Sequence, residues 1–376
     1  MIVHINPEDL AQAVKKIVAI PVQKSPDDRH RVAKLSLDTH DRGLIVTVSN
    51  PVTYAAVLCP GKIEQDSSSE PVLVDCARFI RMATTAKETI TLSGETGKIK
   101  INSGGWDMSL TTPVKSIPEP SKESFTNVLR APSRAIYHAV RAVTPAAATR
   151  DTRFHLTGMV IEFFDGQVYV ASSDGVRMSA AKIGIKDMKG KPCQYIIPAK
   201  AANQMALFLG SDSDLSTIAC DKNKVWAWND AGYVVIVQID GRFPKWTELL
   251  RSDDYQFCTV HRSVLIDAIN HAALAIDTED QEGEVNLGVD ISVSTNELTA
   301  SGESNIHGTS TWSVPVVYEG SELRFCLKFR SLLTALRAIP DDTVHIGARD
   351  SNSAIHIYGS ASRWVIAPIS HVEVSD

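Results

Sequence analysis

The stretch YVASSDGVRMSAAKI, residues 169–183, sets a carboxylate, a glycine and a guanidinium (Asp174, Gly175 and Arg177) between two runs that read as strands. Such a cluster could hold a general base, could bring backbone N–H groups up to a phosphate, or could only shape a hairpin turn. The stretch alone fits all three. The residues that would complete the first two are missing from the rest of the chain. There is no G-x-x-x-x-G-K-[ST] loop, no G-x-S-x-G elbow and no H-E-x-x-H pair, and NSGGW (102–106) lacks dinucleotide-binding spacing. Asp174 could pair with a distant histidine in a hydrolase, but nothing supplies a nucleophile or oxyanion donors. Six cysteines (Cys59, Cys76, Cys193, Cys220, Cys258 and Cys326) lie far apart without C-x-x-C, as free thiols in a reducing cytoplasm do. The expectation is a protein that is not an enzyme, with no metal and no cofactor.

Bulk properties narrow the class. A chain of 376 residues suits two or three domains, and 44% hydrophobic with 22% charged residues is a globular composition. No apolar run reaches the roughly 18 residues a membrane span needs, and MIVHINPEDLAQ lacks the form of a secretion signal. A cytoplasmic protein without membrane contact is expected. The formal net charge of −6 argues against a uniformly basic nucleic-acid binder, but not against one that gathers its cations on one surface.

The elements that must position the 169–183 stretch recur along the chain. LAQAVKKIV from Leu10, IYHAVRAVT from Ile136 and LIDAINHAA from Leu265 each put an alanine three residues after an aliphatic one (Ala13, Ala139, Ala268). Val14, Val140 and Ile269 follow, then Ile17, Val143 and Ala272, which makes one apolar stripe on a helix. A second helical segment follows each: CARFIRMATTA, AKAANQMALFL and FRSLLTALRAI. From first anchor to second (Ile80, Asn203, Leu333) is about 70, 67 and 68 residues, and the first anchors recur after about 126 and 129. Alternating strand-like runs with turns such as Asp165-Gly166 fill the intervals. The fold class is therefore α+β: three similar domains, each with two helices packed on antiparallel sheet. Joints fall near SIPEPSKESF (116–125) and LLRSDDYQF (249–257), which gives domains 1–125, 126–252 and 253–376.

The helices carry the cations: Lys15, Lys16, Arg78, Arg81, Lys87, His138, Arg141, Lys200, Arg262, His271, Arg330 and Arg337. Carboxylates crowd the loops EQDSSSE, SDSD and DTEDQEGE. For any single helix this is an ordinary solvated face. Its recurrence suggests a shared basic surface able to hold a polyanion through phosphates without reading bases.

In order along the chain, TRFHLTGM (152–159), VASSDGVRM (170–178), YIIPAK (195–200), IDGRFPKW (239–246) and WVIAPI (364–369) resemble the bacterial DNA polymerase III β sliding clamps. The resemblance implies a fold of three DNA-clamp domains forming half of a closed ring, a head-to-tail homodimer around double-stranded DNA. It implies a processivity factor that tethers the replicative polymerase, the clamp loader and repair proteins by their short linear peptides. Carried over by position, the peptide groove is Leu156, Ser173, Gly175, Val176, Arg177, Met178, Pro244, Leu249, Val365, Ile366, Ala367, Pro368 and Ile369. The DNA path takes Lys24, Arg150, Arg153, Phe154, His155 and Lys200; the subunit joint takes Met108, Leu110 and Leu274.

The chain departs from the family pattern in places. Val176 stands where histidine is usual, Glu248 where a basic residue is common, and Asn286 near an expected aromatic. SHVEVSD continues past the segment where family members generally stop. These departures bear on the groove's affinity and partner range and suggest a divergent copy, a second clamp. The alternative to a clamp is a divergent clamp-like protein that binds clamp-seeking peptides without encircling DNA.

Overall fold

The computed structural model describes residues 1–21, 27–65, 71–95, 98–111, 116–121, 124–210, 214–276, 288–304 and 307–369. Six α-helices occur among them: α1 (Pro7–Ile17), α2 (Cys76–Thr85), α3 (Ser133–Val143), α4 (Ala199–Leu209), α5 (Arg262–Ala272) and α6 (Phe329–Ala338). All six were legible as periodic segments. The stripe expected on α1 is the buried one, Leu10, Ala13, Val14 and Ile17, and its equivalents are buried on α3 and α5. Asn6 caps α1, its side chain accepting from the Glu8 N–H at 2.9 Å, with Pro7 in the first turn and Lys15 and Lys16 in the last.

The chain forms two compact units, one of residues 1–137 with 184–239 and the other of residues 138–183 with 240–376. In the first, five antiparallel strands run in the order Lys62–Gln65, Ile2–Ile5, Ile90–Glu95, Lys98–Ser103, Trp106–Thr111. A nine-stranded sheet runs Asp187–Lys189, Asn127–Ala131, Ser216–Cys220, Lys224–Asn229, Gly232–Val237, Thr53–Pro60, Gly43–Ser49, Val32–Leu37, Val72–Asp75. This sheet passes without a break from residues beyond the 116–125 joint to residues before it. Tyr233 pairs with Ala56 and Val235 with Tyr54. Helices α1 and α4 are tied at the same place: Gln204 donates to the Ala19 carbonyl at 2.6 Å and Lys16 to that of Phe208 at 3.1 Å.

The second unit repeats the device. Seven strands of one sheet run Gly158–Phe164, Gln167–Ser173, Arg177–Ile183, Ser362–Ile366, Ile355–Tyr358, Thr343–Ala348, Gln256–His261. Here Arg177–Ile183 pairs antiparallel with Ser362–Ile366, closing the 249–257 joint. A four-stranded sheet runs Gly308–Pro315, Glu297–Ser304, Gly288–Ser294, Leu323–Lys328. Between these sheets α5 and α6 share one core with Trp364, Ile366, Ile355, Ile357, Phe325 and Val289. The hairpin at Asp165-Gly166 has φ of 48° and 66°, the left-handed pair that a two-residue turn of matching twist requires.

Candidate functional site

The Ser173–Met178 turn is closed upon itself. One Asp174 carboxylate oxygen accepts from the N–H groups of Val176 (3.0 Å) and Arg177 (2.8 Å), and the other accepts from Arg177 Nε at 2.9 Å. Ser173 Oγ donates to the Arg177 carbonyl at 2.9 Å and accepts from the Gly175 N–H at 3.0 Å. No base is left free, and these amides already have partners, so the catalytic and phosphate readings of the stretch fall away. Gly175 is required here: its φ is +93°, and a Cβ would stand 3.1 Å from an Arg153 guanidinium nitrogen. The turn is a rigid wall.

Against it lies the C-terminal part of the expected groove. The Ala367 N–H donates to the Val176 carbonyl at 2.9 Å, Arg177 pairs with Ile366, and Met178 with Val365. Met178, Val365 and Leu156 are buried; Ser173, Arg177, Pro368 and Ile369 are half-buried; Gly175, Pro244 and Ala367 are exposed. Val176 and Leu249 are each 53% exposed, so the apolar groups open to a ligand are on the rim. Ile366 differs from its neighbours: it sits in the α5/α6 core with Trp364, and only its backbone can serve the groove.

Pro244 and Leu249 flank Trp246, whose ring lies 5.5 Å from Tyr169 and whose indole N–H donates to Glu162. Arg363 fastens this turn by donating to the Leu250 carbonyl at 2.9 Å. A cavity of about 200 Å³ opens beside it, lined by Tyr169, Ala180, Lys182, Trp246, Leu250 and Arg363. No motif announces it, because it is made by residues far apart in the chain.

Of the residues expected on the DNA path, Arg150 is exposed, Phe154 is 71% exposed and His155 is half-buried. Arg153 is exposed but committed: its Nε and one terminal nitrogen donate to Asp151 at 3.1 and 2.9 Å. The guanidinium holds the Asp151 carboxyl well below the usual range, so this pair stays charged and largely self-compensated. Lys200 is exposed in the first turn of α4, in the other unit, and Lys24 lies outside the described residues. Lys15, Arg78, Arg81, Lys87, Arg141, His271, Arg330 and Arg337 are exposed while the helix stripes are buried. Most of EQDSSSE and SDSD, all of DTEDQEGE, Asn286 and the SHVEVSD tail also lie outside the described residues.

The expected subunit-joint residues sit on or beside sheet edges. Met108 and Leu110 belong to Trp106–Thr111, the last strand of its sheet. Leu110 is only 2% exposed and packs within its own unit, Met108 is half-buried, and Trp106, which sequence reasoning missed, is 43% exposed. Leu274, 73% exposed, follows α5. In the same unit Gly308–Pro315 is again a terminal strand, bearing Trp312 at 42% exposure stacked on His271 with ring centres 4.3 Å apart.

Residues 131–245 match the family described as DNA polymerase III beta subunit, central domain. The beta sliding clamp of Chlamydia pneumoniae is 22% identical over 370 residues, 97% of this chain and 98% of that protein. That of Salmonella typhimurium is 22% identical over 288 residues, covering 76% of each. Among solved structures, the DNA polymerase III subunit beta of Pseudomonas aeruginosa superposes with a TM-score of 0.85 at 18% identity, over 98% of this chain and 100% of that one. A sliding clamp from the same organism bound to griselimycin gives 0.87 at 18%, over 98% and 99%. The beta subunit of Thermotoga maritima gives 0.85 at 17%, over 98% and 99%. The chain thus resembles DNA polymerase III beta subunits along its length, and it has their α+β fold.

Proposed function

We propose that this chain, with the fold of a sliding clamp, is a non-catalytic processivity factor of DNA replication acting in the cytoplasm. Two copies close head to tail into a ring around duplex DNA. Its three domains are 1–125, 126–252 and 253–376. The element order supports the division: each third begins strand, helix, strands and continues through a second helix into three more strands. Basic helix faces hold DNA by its phosphates, loosely enough to slide. The groove between the DGVRM turn and the WVIAPI strand takes short apolar peptides of the polymerase, the clamp loader and repair proteins.

One observation carries this reading. Both inner joints are continuous antiparallel ladders, while Trp106–Thr111 and Gly308–Pro315 are terminal strands of their sheets. An edge strand is a template for pairing, and pairing these two between copies repeats the inner joints at the ends of the chain. Retention tests it: the protein elutes as a dimer and stays on nicked circular DNA, but runs off linear DNA. A monomer at micromolar concentration that leaves both DNAs equally fast overturns the ring.

The alternative, a clamp-like protein that captures peptides without encircling DNA, is favoured by the self-compensated Arg153–Asp151 pair. Lys24, Arg150 and Arg153 changed together to Glu separate the two. Poorer capture of DNA during loading onto circles supports the ring; unchanged function supports the alternative.

A further inference from the structure

The two inner joints are built alike down to single hydrogen bonds. At the first, Asn50 Oδ1 accepts from the Val52 and Thr53 N–H groups at 2.8 and 2.7 Å, as Asp174 does from those of Val176 and Arg177. The Val237 N–H donates to the Val52 carbonyl at 2.8 Å, as the Ala367 N–H does to that of Val176. Directly opposed residues cross the first sheet as Ser49, Tyr54, Val235 and Trp226, and the second as Ser173, Met178, Val365 and His356. The frame of the proposed groove is therefore present twice, once in each unit. Its side chains differ. Asn50 and Thr53 stand in place of Asp174 and Arg177, so the ion pair of the second turn has no counterpart in the first. Tyr54 for Met178 and Trp226 for His356 make the floor a file of stacked rings, with Tyr54 6.0 Å from Tyr233 and Tyr233 6.1 Å from Trp226. Val237 on the rim is 45% exposed, and Val52, Tyr233 and Trp228 are half-buried. Phe125 of the linker, 42% exposed, stacks on Trp228 with ring centres 6.0 Å apart.

We propose that this face of the first joint is a second docking site, and that it takes a short extended peptide anchored by an aromatic side chain. This inference rests on the groove reading above, because the shared frame is what identifies the occupant as a peptide. The side chains set the two sites apart. A floor of bulky rings leaves no deep pocket for an aliphatic knob, but it gives a flat ring a surface to stack on. The turn carries no charged pair, and Glu119, the linker carboxylate beside Tyr54, is matched by Lys34. The contacts open to a ligand are therefore apolar, from Val52 and Val237 at the rim and from the edges of Tyr233, Trp228 and Phe125.

The test uses the full chain and fluorescein-labelled ten-residue peptides, one carrying a Leu-Phe pair and a matched one carrying Leu-Leu. Wild-type protein takes two Leu-Phe peptides per chain. Met178→Lys closes the groove and leaves one, held at least fivefold more tightly than Leu-Leu. Val237→Asp spares the groove and weakens the other site tenfold or more. In Met178→Lys protein the methyl resonances of Val52 and Val237 move with the Leu-Phe peptide, a readout that stands if Val237→Asp fails to fold. One peptide per chain, lost with Met178→Lys, overturns the second site and leaves the groove intact; binding of none overturns the groove as well. Unmoved methyls, a second site that survives Val237→Asp, or one that takes Leu-Leu as tightly as Leu-Phe also overturns the proposal.

Discussion

Asp174 accepts three hydrogen bonds within its own turn, and that makes it a structural residue. Removing it leaves two amides and a guanidinium to find water in a half-buried turn, at a cost of about 1–3 kcal/mol. Asp174→Ala therefore lowers the melting temperature and loosens the groove wall, and peptide affinity falls about tenfold with the dimer unchanged. Unaltered affinity in a titration would show that the wall does not shape the groove. His356 gives a pH dependence. Burial, aided by the Arg363 charge, depresses its pKa from 6.5 to about 4, and the Tyr255 ring packs on it. The unfolded chain then binds a proton that the folded chain refuses, so this contribution is intact above pH 6.5 and is lost as pH falls toward 4. The loss is on the order of 3 kcal/mol across that window. His356→Phe should flatten this part of the stability curve measured by denaturant titration; an unchanged slope would place the titrating group elsewhere.

Local elements were legible, and their pairing was not. The Ala13, Ala139 and Ala268 stripes and the Asp165-Gly166 turn announce helices and a hairpin because spacing and left-handed φ are properties of neighbours in sequence. The pairing of Gly232–Val237 with Thr53–Pro60, or of Arg177–Ile183 with Ser362–Ile366, joins segments well over a hundred residues apart. Nothing in either strand names its partner. The family resemblance gathered the groove residues, but it could not say that Ile366 turns into the core or that Arg153 is held by Asp151. Nor could it show that Leu110 is buried while Trp106 stands open: four residues apart, they lie on one face of the strand, and how far that face is covered is set by tertiary packing. Leu274, 73% exposed, tests the edge pairing. Leu274→Glu should convert the dimer to a monomer in analytical ultracentrifugation without lowering the monomer's melting temperature, because the side chain makes little packing within one copy. A variant that stays dimeric would move the interface off this edge.

At the scale of the molecule, a net charge of −6 coexists with cationic helix faces. A protein held on DNA by phosphate contacts alone loses affinity steeply as salt rises. One held by enclosure does not, until the subunits part. Dwell time on nicked circles should therefore change little between 50 and 200 mM salt, while runoff from linear DNA quickens. A steep decline on both substrates would mean that charge, not closure, keeps the protein in place.

The nine-stranded ladder has a bearing on the linker it bypasses. Tyr233 and Val235 grip Ala56 and Tyr54 whether or not residues 116–125 connect them, and Lys224 reaches Ser121 from the same side. A protease that severs SIPEPSKESF should leave fragments that co-migrate on a native gel and separate only in detergent. The covalent thread there is a convenience of synthesis, and the sheet is the true seam.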